Sequence, residues 1–184
     1  MDFYGFYTGK EFEAYRFLGA HAYEKGTVFR TFAPNAQRIS LIGEFNGWQE
    51  MPMQKGHDGN FWECYVENAG KGMMYKYKIY GADGSSIDHC DPYGFYSELR
   101  PNNASIIYDT TDYHFTDGGW MKKRSVQKDA PLNIYEIHFG SWRKKDDEDP
   151  TGWYTYREMA DLLIPYLNEN GYNYVELMPL REHR

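Results

Sequence analysis

The chain has 184 residues, room for one domain and part of another, and carries 20 Lys and Arg against 27 Asp and Glu, for a net charge of −7. That balance argues against nucleic acid or an anionic membrane as a partner, because both need a basic footprint. Hydrophobic residues are 41% and charged residues 26%, so a packed core is expected and wholesale disorder is not. Taken in chain order, residues 1–25 are aromatic and charged, with Phe12, Tyr15 and Phe17 near a short helix, and read as a helical extension. Residues 27–33 suit a strand closed by Pro34 and Asn35. In 38–43, Ile39 and Leu41 alternate with Ser40 and Ile42. Asn46 and Gly47 mark a turn. In 61–67, Phe61, Glu63 and Tyr65 alternate with Trp62, Cys64 and Val66. In 73–80, Tyr75, Tyr77 and Ile79 alternate with Met74, Lys76 and Lys78. Turn residues lie between these runs, at 57–60, 68–70 and 82–85, and 104–108 supplies a last strand. Short alternating strands separated by such turns predict a sandwich over 26–116.

Residues 117–131 are polar and basic and end in Pro131, which reads as a linker. The period then changes. Strand 134–139 precedes a charged loop, and 154–170 carries Met159, Leu162, Leu163, Tyr166 and Leu167 at helical spacing. Thr155 with Glu158 three residues on forms a capping box, and Gly171 supplies the left-handed stop. Pro165 is expected to kink that helix or weaken its last turn. Residues 174–178 form a second strand. Strand, crossover helix and strand are the opening of a parallel barrel, but 132–184 falls far short of the roughly 250 residues that a (β/α)₈ barrel takes. The predicted fold class is therefore mainly β: an immunoglobulin-like sandwich followed by an incomplete α/β start of a barrel.

Few isolated residues carry chemistry. Cys64 and Cys90 are too few and too far apart for a disulfide framework or a metal site. The six histidines show no ligand spacing. Asp83 and Asp91 sit in turn contexts, and Asp88 lies between them; metal or acid–base roles are weaker readings than turn chemistry. No apolar run reaches 18 residues. The opening segment lacks the basic and apolar regions of a secretion signal. A reducing, cytoplasmic setting is the expectation. Aromatic residues are 18%, which suits pleated, half-buried surfaces, with stacking on sugar rings as the sharper reading.

An ordered set of motifs narrows the choice. Leu-Gly-Ala-His at 18–21 precedes Phe-Ala-Pro-Asn-Ala at 32–36, Gly-Glu-Phe-Asn-Gly-Trp at 43–48, Tyr-Lys-Tyr at 75–77 and Asp-Pro-Tyr at 91–93. Glu-Leu-Arg-Pro at 98–101, Ala-Ser at 104–105, Ile-Tyr-Glu-Ile-His-Phe-Gly-Ser-Trp at 134–142 and Val-Glu-Leu-Met-Pro at 175–179 follow. Together they resemble the glycogen (1,4-α-glucan) branching enzymes of the α-amylase superfamily, from about Leu18 to His183. The resemblance implies a family 48 carbohydrate-binding module in front of a catalytic barrel. It also implies a retaining transfer that uses two carboxylates. Those carboxylates lie at later barrel strands, so no catalytic residue is expected here, and the chain by itself is expected to be inactive. No cofactor or metal is implied; the partner is an α-1,4-glucan such as glycogen or a maltooligosaccharide.

Within the module, Trp48 resembles a sugar-stacking tryptophan and Lys76 the lysine that reaches a sugar hydroxyl. The family's second stacking tryptophan has no counterpart near 87–91. The competing reading is that Trp48 packs at the mouth of the sandwich or against a barrel. Glu136 and His138 share one face of the first barrel strand and are expected to pack there rather than to catalyse. Unpaired barrel strands suggest self-association. The rival functions are a standalone glycan-binding or regulatory module and part of a debranching enzyme. The barrel-type strand pair argues against the first. The 98–101 and 140–142 segments argue against the second.

Overall fold

A computed structural model of the chain describes residues 1–124, 129–146, 152–178 and 180. Two units separate, Met1–Thr116 and Asp117–Arg184. In the first, α1 (Phe3–Tyr7) and a 3₁₀ turn at Ala14–Arg16 lead into a run of ten strands: β1 (Gly19–Tyr23), β2 (Gly26–Phe32), β3 (Arg38–Gly43), β4 (Met51–Pro52), β5 (Gln54–Gly56), β6 (Phe61–Glu67), β7 (Met74–Tyr80), β8 (Ser86–His89), β9 (Tyr96–Ser97) and β10 (Ser105–Ile106). One sheet has the order β1-β2-β6-β5; the other has β4-β3-β7-β10-β9, with β8 also on β7. All these pairings are antiparallel.

The alternation in the sequence sets which side chains turn inward. Phe29, Trp62 and Val66 from one sheet meet Ile39, Leu41, Tyr75 and Tyr77 from the other in a single core. The Phe29 and Tyr75 rings meet edge to face with centroids 4.9 Å apart. Each such fully buried side chain contributes about 1.5–3 kcal/mol. Ser40 and Ile42 point the other way, yet both are buried too, so β3 is covered on both faces.

The expected helical extension over 1–25 needs correction. Gly19–Tyr23 is a sheet strand in register with β2, pairing Ala20 with Phe29 and Ala22 with Thr27. Glycine and alanine have little strand propensity, so the neighbouring β2, not the local sequence, recruits this segment. Ahead of it, Ala14, Leu18, Phe3, Phe6 and Phe17 cover Phe61 and Phe32 on the outer face of the first sheet. That end of the face is therefore covered, while Glu63, Tyr65 and Glu67 farther along β6 stay exposed. The short strands β4, β5, β8 and β9 leave no periodic pattern that the sequence could show.

In the second unit, α2 (Gly118–Lys123) occupies part of the expected linker. β11 (Ile134–His138) ends one residue earlier than expected, because Phe139–Trp142 turns into the single helical turn α3. α4 (Tyr156–Glu169) has the expected capping box: Thr155 Oγ1 accepts from Glu158 N at 3.3 Å, and Thr155 N donates to Glu158 Oε2 at 2.8 Å. Pro165 lies inside, and the helix runs on to Glu169. Its end is closed by Tyr172 N donating to Leu167 O at 2.9 Å and Gly171 N to Asn168 O at 3.2 Å, with Gly171 at φ 71. This is the Schellman arrangement, in which glycine takes the left-handed position without strain. β12 (Tyr174–Met178) pairs β11 in parallel, Ile134 with Tyr174 through His138 with Met178.

Candidate carbohydrate-binding site

Trp48 and Lys76 lie at one end of the second sheet. Trp48 is in the loop that leaves β3, and its N–H donates to Gly43 O at 2.8 Å. Gly43 pairs with Tyr75, the residue before Lys76, and Lys76 itself pairs with Ile42. Tyr75 and Tyr77 point into the core and have no exposed surface, so Lys76 between them lies on the outer face. The loop that carries Trp48 therefore leaves β3 beside the β7 segment that carries Lys76.

The loop is built to hold Trp48 outward. Gly47 and Trp48 are both left-handed, at φ 64 and φ 61. For a tryptophan that conformation costs about 1–2 kcal/mol, and the residue remains 41% exposed. Hydrogen bonds hold it in place. Asn46 Oδ1 accepts from Gly43 N at 3.1 Å, and Asn46 Nδ2 donates to Gln49 O at 2.7 Å. Glu44 Oε2 accepts from Met74 N at 2.8 Å, tying the loop to β7. At Gly43 any Cβ would lie 2.7 Å from Met74 O and 2.6 Å from the Phe45 ring, so only glycine allows this approach.

Glu50 anchors the far end of the loop. It accepts from Tyr80 Oη at 2.6 Å and from Ser40 Oγ at 2.9 Å, with Lys78 and Arg38 each at 3.6 Å. The Tyr80 hydrogen bond, then the Ser40 bond, hold the Glu50 carboxyl below its ordinary range. Arg38 lies over the Tyr80 ring at 3.9 Å. Sequence reasoning missed Glu44, Glu50 and Tyr80, since their roles exist only once β3 and β7 are in register. At the place where a second stacking tryptophan was sought, β8 presents Ser86, Ile87, Asp88 and His89, all exposed, along the edge of β7.

The other candidates resolve as structure. Asp83 Oδ1 accepts from Ser85 N at 3.0 Å and from Ser85 Oγ at 2.6 Å within a turn. Asp88 is exposed on β8. Asp91 is more than a turn residue: it is buried, and its Oδ2 accepts from Tyr75 at 2.8 Å and Tyr77 at 3.0 Å. Its Oδ1 accepts from Tyr93 N at 2.8 Å, while its own N–H donates to Ser105 Oγ at 2.8 Å. Burial pushes this carboxyl up despite the hydrogen bonds, and burial pushes both phenols up as well. Asp91 therefore ties the Asp-Pro-Tyr segment to β7 and β10. In the second unit Glu136 pairs with Glu176, and His138 Nδ1 lies 2.7 Å from Ser141 Oγ. Among the described residues no cluster of three His, Cys, Asp or Glu side chains could hold a metal, and no helix is long and apolar enough to cross a membrane.

Comparisons with known proteins agree with this architecture. Residues 17–94 match carbohydrate-binding module 48, the isoamylase N-terminal domain. The 1,4-alpha-glucan branching enzyme GlgB of Bacillus caldolyticus is 43% identical over 100% of this chain and 28% of that protein. Its counterpart in Fusobacterium nucleatum is 38% identical over 100% of this chain and 30% of that one. The chain thus spans less than a third of these relatives. Among solved structures, a putative alpha amylase from Salmonella typhimurium superposes with a TM-score of 0.64 at 26% identity, over 90% of this chain and 25% of that one. The catalytic module of the pneumococcal virulence factor SpuA reaches 0.67 at 18% identity, over 93% and 28%, and shows the fold alone. From the sandwich through the strand–helix–strand unit, the chain is thus similar to the N-terminal part of 1,4-alpha-glucan branching enzymes.

Proposed function

We propose that this chain binds linear α-1,4-glucan, such as glycogen outer chains or a maltooligosaccharide, at Trp48 and Lys76. The observation that carries the reading is the Trp48 loop: an exposed indole on a left-handed backbone, fixed by hydrogen bonds at 43, 46 and 49 and by carboxylates at 44 and 50. Backbone strain of this kind concentrates at binding sites. An indole face matches the apolar C–H face of a glucose ring, and an ammonium on the adjoining strand can donate to a sugar hydroxyl. A single stacking ring makes the affinity weak. Titration with maltoheptaose, followed by tryptophan fluorescence and amide shifts, tests this. Trp48→Ala is expected to remove the Trp48 response and reduce affinity at this site by at least tenfold; an unchanged isotherm overturns the assignment.

In the whole branching enzyme the bound glucan would be presented for a retaining transfer. One carboxylate attacks the anomeric carbon while a carboxylic acid protonates the departing oxygen, and the glycosyl-enzyme then passes its chain to a sugar 6-hydroxyl. No described residue is assigned either role, and we read this chain alone as a cytoplasmic binding fragment without transfer activity. Incubation with amylose is expected to yield no α-1,6 branches. New branches from purified protein that survive a contaminant control would overturn that part.

A further inference from the structure

We infer that Glu50 is a positioning residue of the Trp48 site: it acts on the loop that carries the indole, holding it against β7, and not on the sugar. The inference rests on the α-glucan reading for what the site binds, and on the geometry around Glu50 for how the site is held. Glu50 lies where the loop rejoins the sheet, directly before β4. Its Oε1 accepts from Tyr80 Oη at 2.6 Å and its Oε2 from Ser40 Oγ at 2.9 Å, so each oxygen takes a donor from a different strand. Ser40 is in register with Lys78, and Arg38 with Tyr80, so the hydrogen-bonded and ionic partners of Glu50 form two neighbouring register pairs. The next pair along is Ile42 with Lys76. Lys76, Lys78 and Tyr80 alternate along β7 and share its outer face.

Three observations give Glu50 this role. First, two carboxylates of the loop straddle Lys76. Glu44 Oε2 accepts from Met74 N at 2.8 Å on one side, and Glu50 reaches Lys78 and Tyr80 on the other. The loop is therefore fastened to β7 on both sides of the lysine with which Trp48 is read to act. Second, the main chain holds the two ends of the loop unequally. At its start, Gly43 O accepts from Trp48 N, and Gly43 N donates to Asn46 Oδ1. At its end, β4 spans just Met51–Pro52, and Pro52 has no N–H to give to β3. The Glu50 side chain supplies the cross-links that this short strand lacks. Third, the backbone requires them. Gly47 and Trp48 are both left-handed, and a tryptophan stays in that region only where its surroundings over-determine it. Released at one end, Trp48 relaxes to an ordinary backbone region and its ring leaves its place beside the Lys76 segment. A role for Glu50 as a mere counter-charge is weaker. Lys78 and Arg38 both stand at 3.6 Å, well beyond the two hydrogen bonds, and solvent-exposed ion pairs contribute little.

The experiment uses the whole chain and reads Trp48 first without ligand. Glu50→Ala is expected to speed hydrogen exchange of the Trp48 amide about tenfold, with exchange at Leu41 unchanged as the sign that the sandwich holds. Maltoheptaose, titrated against the Trp48 indole signal, is expected to bind this variant about tenfold more weakly, because the site is no longer preorganised. Glu50→Gln should restore most of both: its amide oxygen still accepts from Tyr80, and the Ser40 hydroxyl can turn to accept from its NH₂ group. Tyr80→Phe removes the other half of the contact, so the Glu50→Ala, Tyr80→Phe double variant should bind no more weakly than Glu50→Ala alone. Trp48 exchange that stays within about twofold in Glu50→Ala would overturn the inference, whether or not sugar binds. Glu50→Gln as damaging as Glu50→Ala would overturn it in favour of the counter-charge role. Faster exchange with an unchanged isotherm would also overturn it, provided that Trp48→Ala does weaken binding. If Trp48→Ala leaves the isotherm unchanged, it is the α-glucan reading of the site that fails, and the ligand-free exchange at Trp48 still decides whether Glu50 positions the loop.

Discussion

The two units solve the problem of burying a sheet in different ways. In the first, two antiparallel sheets face each other and Phe29, Ile39, Leu41, Tyr75 and Tyr77 lose all exposure; the N-terminal segment also covers Phe61 and Phe32 on the outer side of the first sheet. In the second, the described residues form one parallel pair accompanied by the short α2 and α3 and the longer α4. Of its described residues only Ile137, Met159 and Leu163 are buried, and all of β12 is exposed. Parallel strands are normally covered on both faces. Here Ile134, Val175, Leu177 and Met178 keep open surface, and Glu136 sits beside Glu176 with like charge. A sandwich closes on itself with local hairpins, whereas a parallel pair needs further strands and helices to become a core. The contrast is between a unit whose apolar residues bury one another and a unit whose described strand residues mostly keep open surface.

The largest test of that contrast removes the centre of the stronger half. Asp91→Ala leaves two buried phenols and a backbone N–H without their acceptor, at about 1–3 kcal/mol each. We expect the sandwich to lose about 3–5 kcal/mol in chemical denaturation, read at the tyrosine and tryptophan signals. A loss under 1 kcal/mol would mean that the Asp91 network is incidental.

Hydrogen exchange compares the halves directly. Amides of β3, such as Leu41, are expected to be at least about 100-fold more protected than those of Ile137 and Val175, a difference of about 2.7 kcal/mol. The exposed strand edges of β11 and β12 should also make the chain associate as concentration rises, detectable by sedimentation. Equal protection in a monodisperse monomer would break the comparison.

The smallest effect sits at the start of α4. Lys145 first, and then the Thr155 groups, hold the Glu158 carboxyl at about 2, against an ordinary value of 4.5. The folded value lies below the unfolded one. The capping contribution is therefore complete above about pH 4.5 and disappears as the pH falls toward 2. A carboxyl-carbon titration of Glu158 should show the depressed midpoint, and Glu158→Gln should remove this pH dependence from α4. A midpoint near 4.5 would show that the capping box does not persist in solution.

Much of this protein is legible in the sequence because its determinants are local. Alternation over 38–43, 61–67 and 74–80 picks out the strands and the inward faces, since a side-chain period of two leaves no choice once one face is apolar. Thr155, Glu158 and Gly171 mark the ends of α4, because capping is settled by neighbours three to five residues apart. The order of short motifs from 18 to 179 was enough to suggest the family. Other features wait for tertiary structure. Gly19–Tyr23 becomes a strand only because β2 offers a partner, and the rings of Phe3, Phe6 and Phe17 find their place only when Phe61 and Phe32 stand side by side. Trp48 could be singled out by its motif, but its left-handed backbone and the two carboxylates that pin its loop depend on the register of β3 against β7. Asp91 reads as a turn residue and turns out to be a buried hub, because its phenol partners, 14 and 16 residues away, reach it only after the sheets close. Local signals follow from the short-range geometry of the backbone, whereas hubs and strained loops are set by pairings between distant segments that no single stretch of sequence contains.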